Sequence, residues 1–207
     1  MTEPPEHAHE GPDEERTPVR FLWFTGEWPS AISALRHANF RYFWFGQLIS
    51  LVGTWMQSAA QGWLVLTLAT EEFGAAHAAF YVGMVAAVGS LPMFLFTLFG
   101  GVVSDRYPRR QILIVTQVGL LLLATALAGL VHTGHIRLWQ VAVIAALSGL
   151  VMSFDMPTRQ AFVKDIATPS DLLNAIALNS SIFNLARIVG PAIAGALMAW
   201  PMMGITG

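Results

Sequence analysis

Residues 73–104 read FGAAHAAFYVGMVAAVGSLPMFLFTLFGGVVS, a run of 32 residues without Asp, Glu, Lys or Arg. About 20 apolar residues cross the hydrocarbon core of a bilayer, so this stretch alone puts the chain in a membrane. Upstream, residues 42–70 form a second charge-free run of 29 residues. Over all 207 residues, 55% are apolar and 12% charged, about half the charge of a soluble domain. A soluble enzyme and a nucleic-acid binder are excluded, and the absence of cysteine excludes a disulfide scaffold. The fold class expected is an all-α membrane bundle.

Working outward, five spans are expected near 42–69, 79–103, 111–131, 138–156 and 172–200, which together form a bundle over 42–200. The connections are short: Glu71 to His77, then DRYPRR, HTGHIR and PTRQAFVKDIATPSD. In the last of these, Pro157 is expected to end or kink the fourth span. Thr168-Pro169-Ser170-Asp171 reads as a capped break before the fifth span. Residues 201–207 read as a truncated end, too short for a sixth helix. Residues 1–18 are expected to form a disordered acidic tail, because they have too little apolar surface to offset ordering entropy. His7 and His9 stand among carboxylates there, but nothing fixes a coordination geometry, so no metal site is expected. The acidic, proline-containing start lacks the features of a cleavable signal. Residues 19–41 mix Trp23, Phe24 and Trp28 with Arg20, Arg36 and Arg41, a pattern expected of an amphipathic segment at the headgroup interface.

Cation placement gives an orientation. With alternating spans, nine of the 11 Lys and Arg residues (Arg16, Arg20, Arg36, Arg41, Arg106, Arg109, Arg110, Arg159 and Lys164) fall on one side. Arg137 falls on the other, and Arg187 lies inside the fifth span. The chain is therefore expected in the cytoplasmic (inner) membrane as a multi-pass protein with its N-terminus cytoplasmic.

Two spans carry polar stripes. At 100° per residue, Gln47, Ser50, Thr54, Gln57, Ser58 and Gln61 share an arc of about 100° on the first span. Uncharged amides lack partners in lipid, so this face meets water, substrate or another helix. A lined pathway is the reading preferred over interhelical hydrogen-bond glue. On the fifth span, Ser180, Asn184, Arg187, Pro191 and Gly195 share a similar arc. Arg187 lies about 24 Å along the helix from Asp171, and both a functional charge and a fixed structural partner remain open for it. Asp155 and Arg159 stand at i, i+4 spacing where the fourth span is expected to end. Asp155 reads as a structural latch facing the arginines of DRYPRR, in preference to a proton carrier.

The segment Gly101-Val102-Val103-Ser104-Asp105-Arg106-Tyr107-Pro108-Arg109-Arg110 resembles the signature between helices two and three of the major facilitator superfamily. Val103 stands where leucine is usual and Pro108 where glycine is usual. In this signature Gly101 would let helices approach, Asp105 would accept hydrogen bonds and Arg106, and the Arg109–Arg110 pair would mark the cytoplasmic face. Residues 187–195, with Gly190, Pro191 and Gly195, resemble the glycine-proline motif of helix five in its exporter branches. The runs FRYFWFGQLISLVGTWMQ, FDMPTRQAFVKDI and NAIALNSSIFNLARIVGPAIAG resemble the branch of the enterobactin exporter and transmembrane secretion effectors. The resemblance covers roughly residues 36–200.

That resemblance implies the first five helices of a carrier built from two six-helix halves, working by alternating access. It implies export of a small molecule, such as a siderophore or an amphiphilic drug. No cofactor is implied beyond a proton gradient, and the partners implied are the substrate, the lipid bilayer and the missing C-terminal helices or a second half. Gly101, Asp105, Arg106, Arg109, Arg110, Asp155 and Arg159 would form a conformational latch. Gly190, Pro191 and Gly195 would form a helix-five bend, and the stripes of spans one and five would line the cavity. No carboxylate reads as deep in spans one to three or five, so no proton-coupling acid is nominated. The alternative is a half-length fragment with no transport by itself. A membrane enzyme lacks any catalytic constellation.

Overall fold

The computed structural model describes residues 30–203. A short 3-10 segment, Ser30–Arg36, leads into five helices: α1 (Ala38–Phe73), α2 (Ala75–Arg106), α3 (Arg109–His132), α4 (Leu138–Ile166) and α5 (Leu172–Met203). The helix ends follow local chemistry. Gly74 stops α1 at φ 79, a left-handed conformation that glycine adopts without cost, and its amide donates to Thr70 O at 3.1 Å. Tyr107 is extended (φ −119, ψ 156) because Pro108 follows it, so the α2–α3 turn is only two residues long. At the start of α4, the Arg137 amide donates to Gln140 Oε1 at 2.8 Å.

Helices α2 to α5 are long and apolar enough to cross a membrane. Their outer faces carry large exposed side chains such as Phe94, Leu98, Leu121 and Ile188. The chain is a multi-pass membrane protein. At 36 residues α1 is the longest helix. The glutamines and hydroxyls of its stripe keep its hydropathy below that of the other four, which is why only four of the five expected spans are apolar enough.

Contacts run mainly between α2 and α4 and between α1 and α5, with α3 against α4. Glycine sets the closest approaches. A Cβ on Gly149 would stand 1.8 Å from Gly89 O, and one on Gly100 2.1 Å from Ser153 O, so α2 and α4 touch backbone to backbone. On the other pair, a Cβ on Gly190 would stand 2.6 Å from Trp55 Cβ.

Two expectations need correction here. The fourth span does not end at Pro157; α4 continues through it to Ile166. Proline leaves the carbonyl four residues back without a helical donor. That carbonyl belongs to Ser153 and lies against Gly100, so the proline is absorbed at a packed seam. Likewise Gly101 has open space around its Cβ position, and the glycine that permits close approach is its neighbour Gly100.

Candidate functional site

The polar stripe of α1 is divided among three environments. At the end bearing Arg36 and Arg41, Gln47 is buried (3% exposed) and its Nε2 donates to Asn179 Oδ1 on α5 at 2.6 Å. One turn on, Ser50 turns toward α3 and α4. Beyond it, Thr54, Gln57, Ser58 and Gln61 line an open cavity of about 320 Å³ whose other walls come from α2, α3 and α4.

Ser50 belongs to a closed ring of side chains joining α1, α3 and α4. Its Oγ donates to Gln117 Oε1 at 2.6 Å, and Gln117 Nε2 donates to Asp155 Oδ1 at 2.9 Å. Arg159 Nε donates to Asp155 Oδ2, and Arg159 Nη2 returns to Ser50 Oγ at 3.4 Å. Thr116 Oγ1 adds a further bond to Asp155 Oδ1 at 2.6 Å. Asp155 is 2% exposed and Arg159 8%. A carboxylate and a guanidinium this buried are tolerable only because they pair and their remaining lone pairs and protons find partners. A second cavity, about 440 Å³, is lined by Gln47, Ser50, Gln117, Arg159 and Arg110. Ser50, Gln117 and Arg159 of the ring line this second cavity, and no member of the ring lines the first.

This placement corrects the expected position of Asp155. Because α4 runs to Ile166, Asp155 lies 11 residues inside the helix end, about 16 Å at 1.5 Å per residue. It is an interior position of the helix, with further helical turns beyond it. Its partners are Arg159, Thr116 and Gln117, not the arginines of residues 106–110.

Those arginines find a different acid. Arg109 Nη1 pairs with Asp165 Oδ1 on α4, and Arg109 Nη2 reaches Asp105 Oδ1 at 3.3 Å. Arg109 also donates to Ser104 O at 3.3 Å. Asp105 therefore meets Arg109, with its side chain 76% exposed, and not Arg106. Arg106 and Arg110 have no carboxylate partner among the described residues.

At the same end, Asp171 holds the 3-10 segment. It accepts from Ser33 Oγ at 2.7 Å, Arg36 Nη2 at 2.9 Å and Thr168 Oγ1 at 3.0 Å, and lies 3.1 Å from His37 Nε2. The hydrogen bond from Ser33, followed by those from His37, Thr168 and Arg36, holds the Asp171 carboxyl well below the usual carboxylate range. Ala34 and Phe40 pack beside it against Val163 and Ala175. Residues 30–36 therefore dock on α4 and α5. The expected tail at 1–18, with His7 and His9, and residues 19–29 lie outside the described residues.

The stripe of α5 stays apart. Ser180 and Asn184 are exposed and bond back along their own helix, to Ile176 O and Ser180 O at 3.0 Å each. Arg187 is exposed, with its guanidinium 5.9 Å from the Trp55 ring centroid. None of the three lines either cavity. Gly190 is buried against α1, α5 continues as helix through Pro191, and Gly195 faces open space. Among the described residues, no group of three or more His, Asp or Glu could hold a metal ion.

Four participants carried no signal in the stripe analysis: Thr116, Gln117, Asp165 and Asn179. The first two form a polar pair on α3 between the apolar runs 112–115 and 118–124. Read with Asp155 as a deep acid in need of donors, that pair was available.

The family described as transmembrane secretion effector matches residues 29–205. The staphyloferrin A transporter of Staphylococcus aureus is 28% identical over 160 residues, covering 77% of this chain and 38% of that protein. The multidrug efflux pump Tap of Mycolicibacterium fortuitum is 31% identical over 160 residues, covering 75% and 37%. Macrolide efflux protein A of Streptococcus pyogenes is 24% identical over 168 residues, covering 81% and 40%. The chain thus spans about two-fifths of the length of these relatives. No solved structure matches.

Proposed function

The chain belongs to the transmembrane secretion effector family of major facilitator superfamily transporters, and from that premise we propose that its five helices form the first-half wall of a proton-driven export carrier working by alternating access. The export activity belongs to the carrier whose remaining helices complete the cavity. The single observation that carries this reading is the buried acid–base ring of Ser50, Gln117, Asp155 and Arg159, which walls one of the two cavities along the polar face of α1. The N-terminus is cytoplasmic in this reading, because nine of 11 cations mark that side, and the membrane is the inner one.

In the proposed cycle Asp155 exchanges the coupling proton. When ionised, it holds Arg159 and, through Gln117, Ser50. When it takes up a proton, the ion pair with Arg159 is lost, and the guanidinium is free to leave Ser50 for the cavity that Arg110 also lines. That loosens α1 from α3 and α4. Arg109 with Asp165 and Asp105 forms the latch at the basic end. Pro191 leaves the Arg187 carbonyl without a helical donor and serves as the flex point of α5, with Gly190 as its pivot on α1. Asn184, Ser180 and Arg187 face outward toward the rest of the carrier.

Substrates of the relatives, a siderophore in one and macrolides in another by their names, support a small amphiphilic molecule. Energised everted vesicles carrying the complete transporter test the reading, with staphyloferrin A, erythromycin and ethidium as probes. The expected result is uptake of at least one probe, accompanied by proton release and abolished by a protonophore. Failure of all three to move or to release protons overturns it.

A further inference from the structure

The cavity wall that α1, α2 and α4 supply is polar but carries no charge, and this constrains what can occupy it. Its polar side chains are Thr54, Gln57, Ser58, Gln61, Ser90 and Ser148, and no Asp, Glu, Lys, Arg or His lines it. Two of the hydroxyl protons are already committed: Thr54 Oγ1 donates to Ser50 O at 2.9 Å and Ser90 Oγ to Ala86 O at 2.8 Å. Their oxygens remain as acceptors. Gln57, Ser58 and Gln61 have no partner among the described residues, and the Ser148 Oγ is buried without one. Gln57 and Gln61 stand one helical turn apart, so two carboxamides present donors and acceptors side by side. The remaining wall is aliphatic, with Val65, Val85 and Met152 among its members.

An ionised group entering this wall would lose its hydration without gaining a counter-ion, which is strongly unfavourable. The buried charges behind it, Asp155 and Arg159, already neutralise each other. Neighbouring hydroxyls, which both donate and accept, match paired carboxamides and free serines, and an attached alkyl surface matches the valines. Resting on the export reading of this cavity, we propose that the wall binds the uncharged, polyhydroxylated part of an amphiphile, a glycoside-like head on an apolar body, and rejects carboxylates. The polycarboxylate class of siderophore would then need cations from outside this wall.

The test uses the full chain in nanodiscs with a hexyl β-glucoside carrying a photoreactive diazirine in its alkyl chain. Competitors are unlabelled hexyl β-glucoside, the glucuronide in which a carboxylate replaces the primary alcohol, and the glucosamine glycoside bearing an ammonium. The expected label falls on the aliphatic wall, near Val65 on α1, Val85 on α2 and Met152 on α4. The glucoside should compete about tenfold better than the glucuronide. Gln57→Glu should raise competition by the glucosamine glycoside about tenfold, and Gln57→Leu should weaken the glucoside without that gain. No label in the cavity, equal competition by glucoside and glucuronide, or an unchanged ranking in Gln57→Glu each overturns the proposal. Cavity labelling with this ranking in a carrier that moves nothing in vesicles overturns the export reading alone. Efflux with no such ranking overturns the substrate class alone.

Discussion

Helix α4 makes two contacts of opposite character. Toward α2 it is dry and set by glycine: Gly149 meets Gly89, and Gly100 meets the Ser153 carbonyl, with no room for a methyl group. Toward α1 and α3 it is polar, held by the Asp155–Arg159 ring, which lines one of the two cavities. Backbone-to-backbone packing has one good arrangement, because neither side can yield. A ring of side chains has several, because each donor can re-pair. One helix thus carries a fixed seam on one face and an adjustable seam on the other, which suits a wall that must move as a rigid pair against its neighbours.

The fixed seam breaks hardest. Gly149→Val would drive side-chain atoms into the Gly89 carbonyl, and the expected cost is about 3 kcal/mol or more. Thermal unfolding of the detergent-purified chain measures it, and an unchanged midpoint would mean that the seam is not tight. Next in size, Arg159→Leu strands a buried carboxylate, with an expected loss of about 3–5 kcal/mol if Asp155 stays ionised and less if it takes up a proton. The double variant Asp155→Leu with Arg159→Leu sharpens the comparison. Replacing a buried ion pair by apolar side chains is neutral or stabilising by about 1–4 kcal/mol. This variant should therefore unfold no earlier than the wild type, while proton-linked export in the complete carrier is lost. Early unfolding would make the ring a structural feature like the glycine seam.

Smaller effects are expected at the basic end. Asp171→Asn should release Ser30–Arg36, read as faster amide exchange in that segment with α2 and α4 unaffected. The pH dependence follows from the direction of the shift. The folded-state carboxyl is held below its unfolded value of about 3.9, so its stabilisation is complete above that value and fades as pH falls further. The protection factor of Ser30–Arg36, the intrinsic exchange rate at each pH divided by the observed rate, should be constant from neutral pH to about pH 5 and fall only in stronger acid. Smallest of all, Asp105→Asn removes one exposed 3.3 Å contact and should cost under about 1 kcal/mol. Any loss of export in that variant would then report on gating and not on folding.

Much of this was legible in the sequence. Charge-free runs mark helices, and GVVSDRYPRR carries the superfamily signature that the family match bears out. The α1 stripe was legible as well, and Thr54, Gln57, Ser58 and Gln61 do share one cavity. What the sequence hid were consequences of partner choice. Pro157 reads as a helix end because proline lacks an amide, yet the seam with Gly100 accommodates the freed Ser153 carbonyl and the helix continues. A terminus at Pro157 makes Asp155 a helix-end residue facing the arginines of 106–110, whereas the continuous helix turns it to Arg159, Thr116 and Gln117. The α5 stripe has the same periodicity as that of α1 but bonds to its own backbone and faces outward, a difference that no angular projection of one helix contains.

In the proposed cycle, proton exchange at Asp155 in the buried ring is the central step. Infrared difference spectra of the full chain in lipid, recorded between acidic and alkaline buffer, test it directly. The expected result is a carbonyl stretch of a protonated, buried carboxyl that appears on acidification, shifts in deuterium oxide and is missing in Asp155→Asn. A spectrum in which that band is absent from the wild type, or is identical in Asp155→Asn, would contradict it.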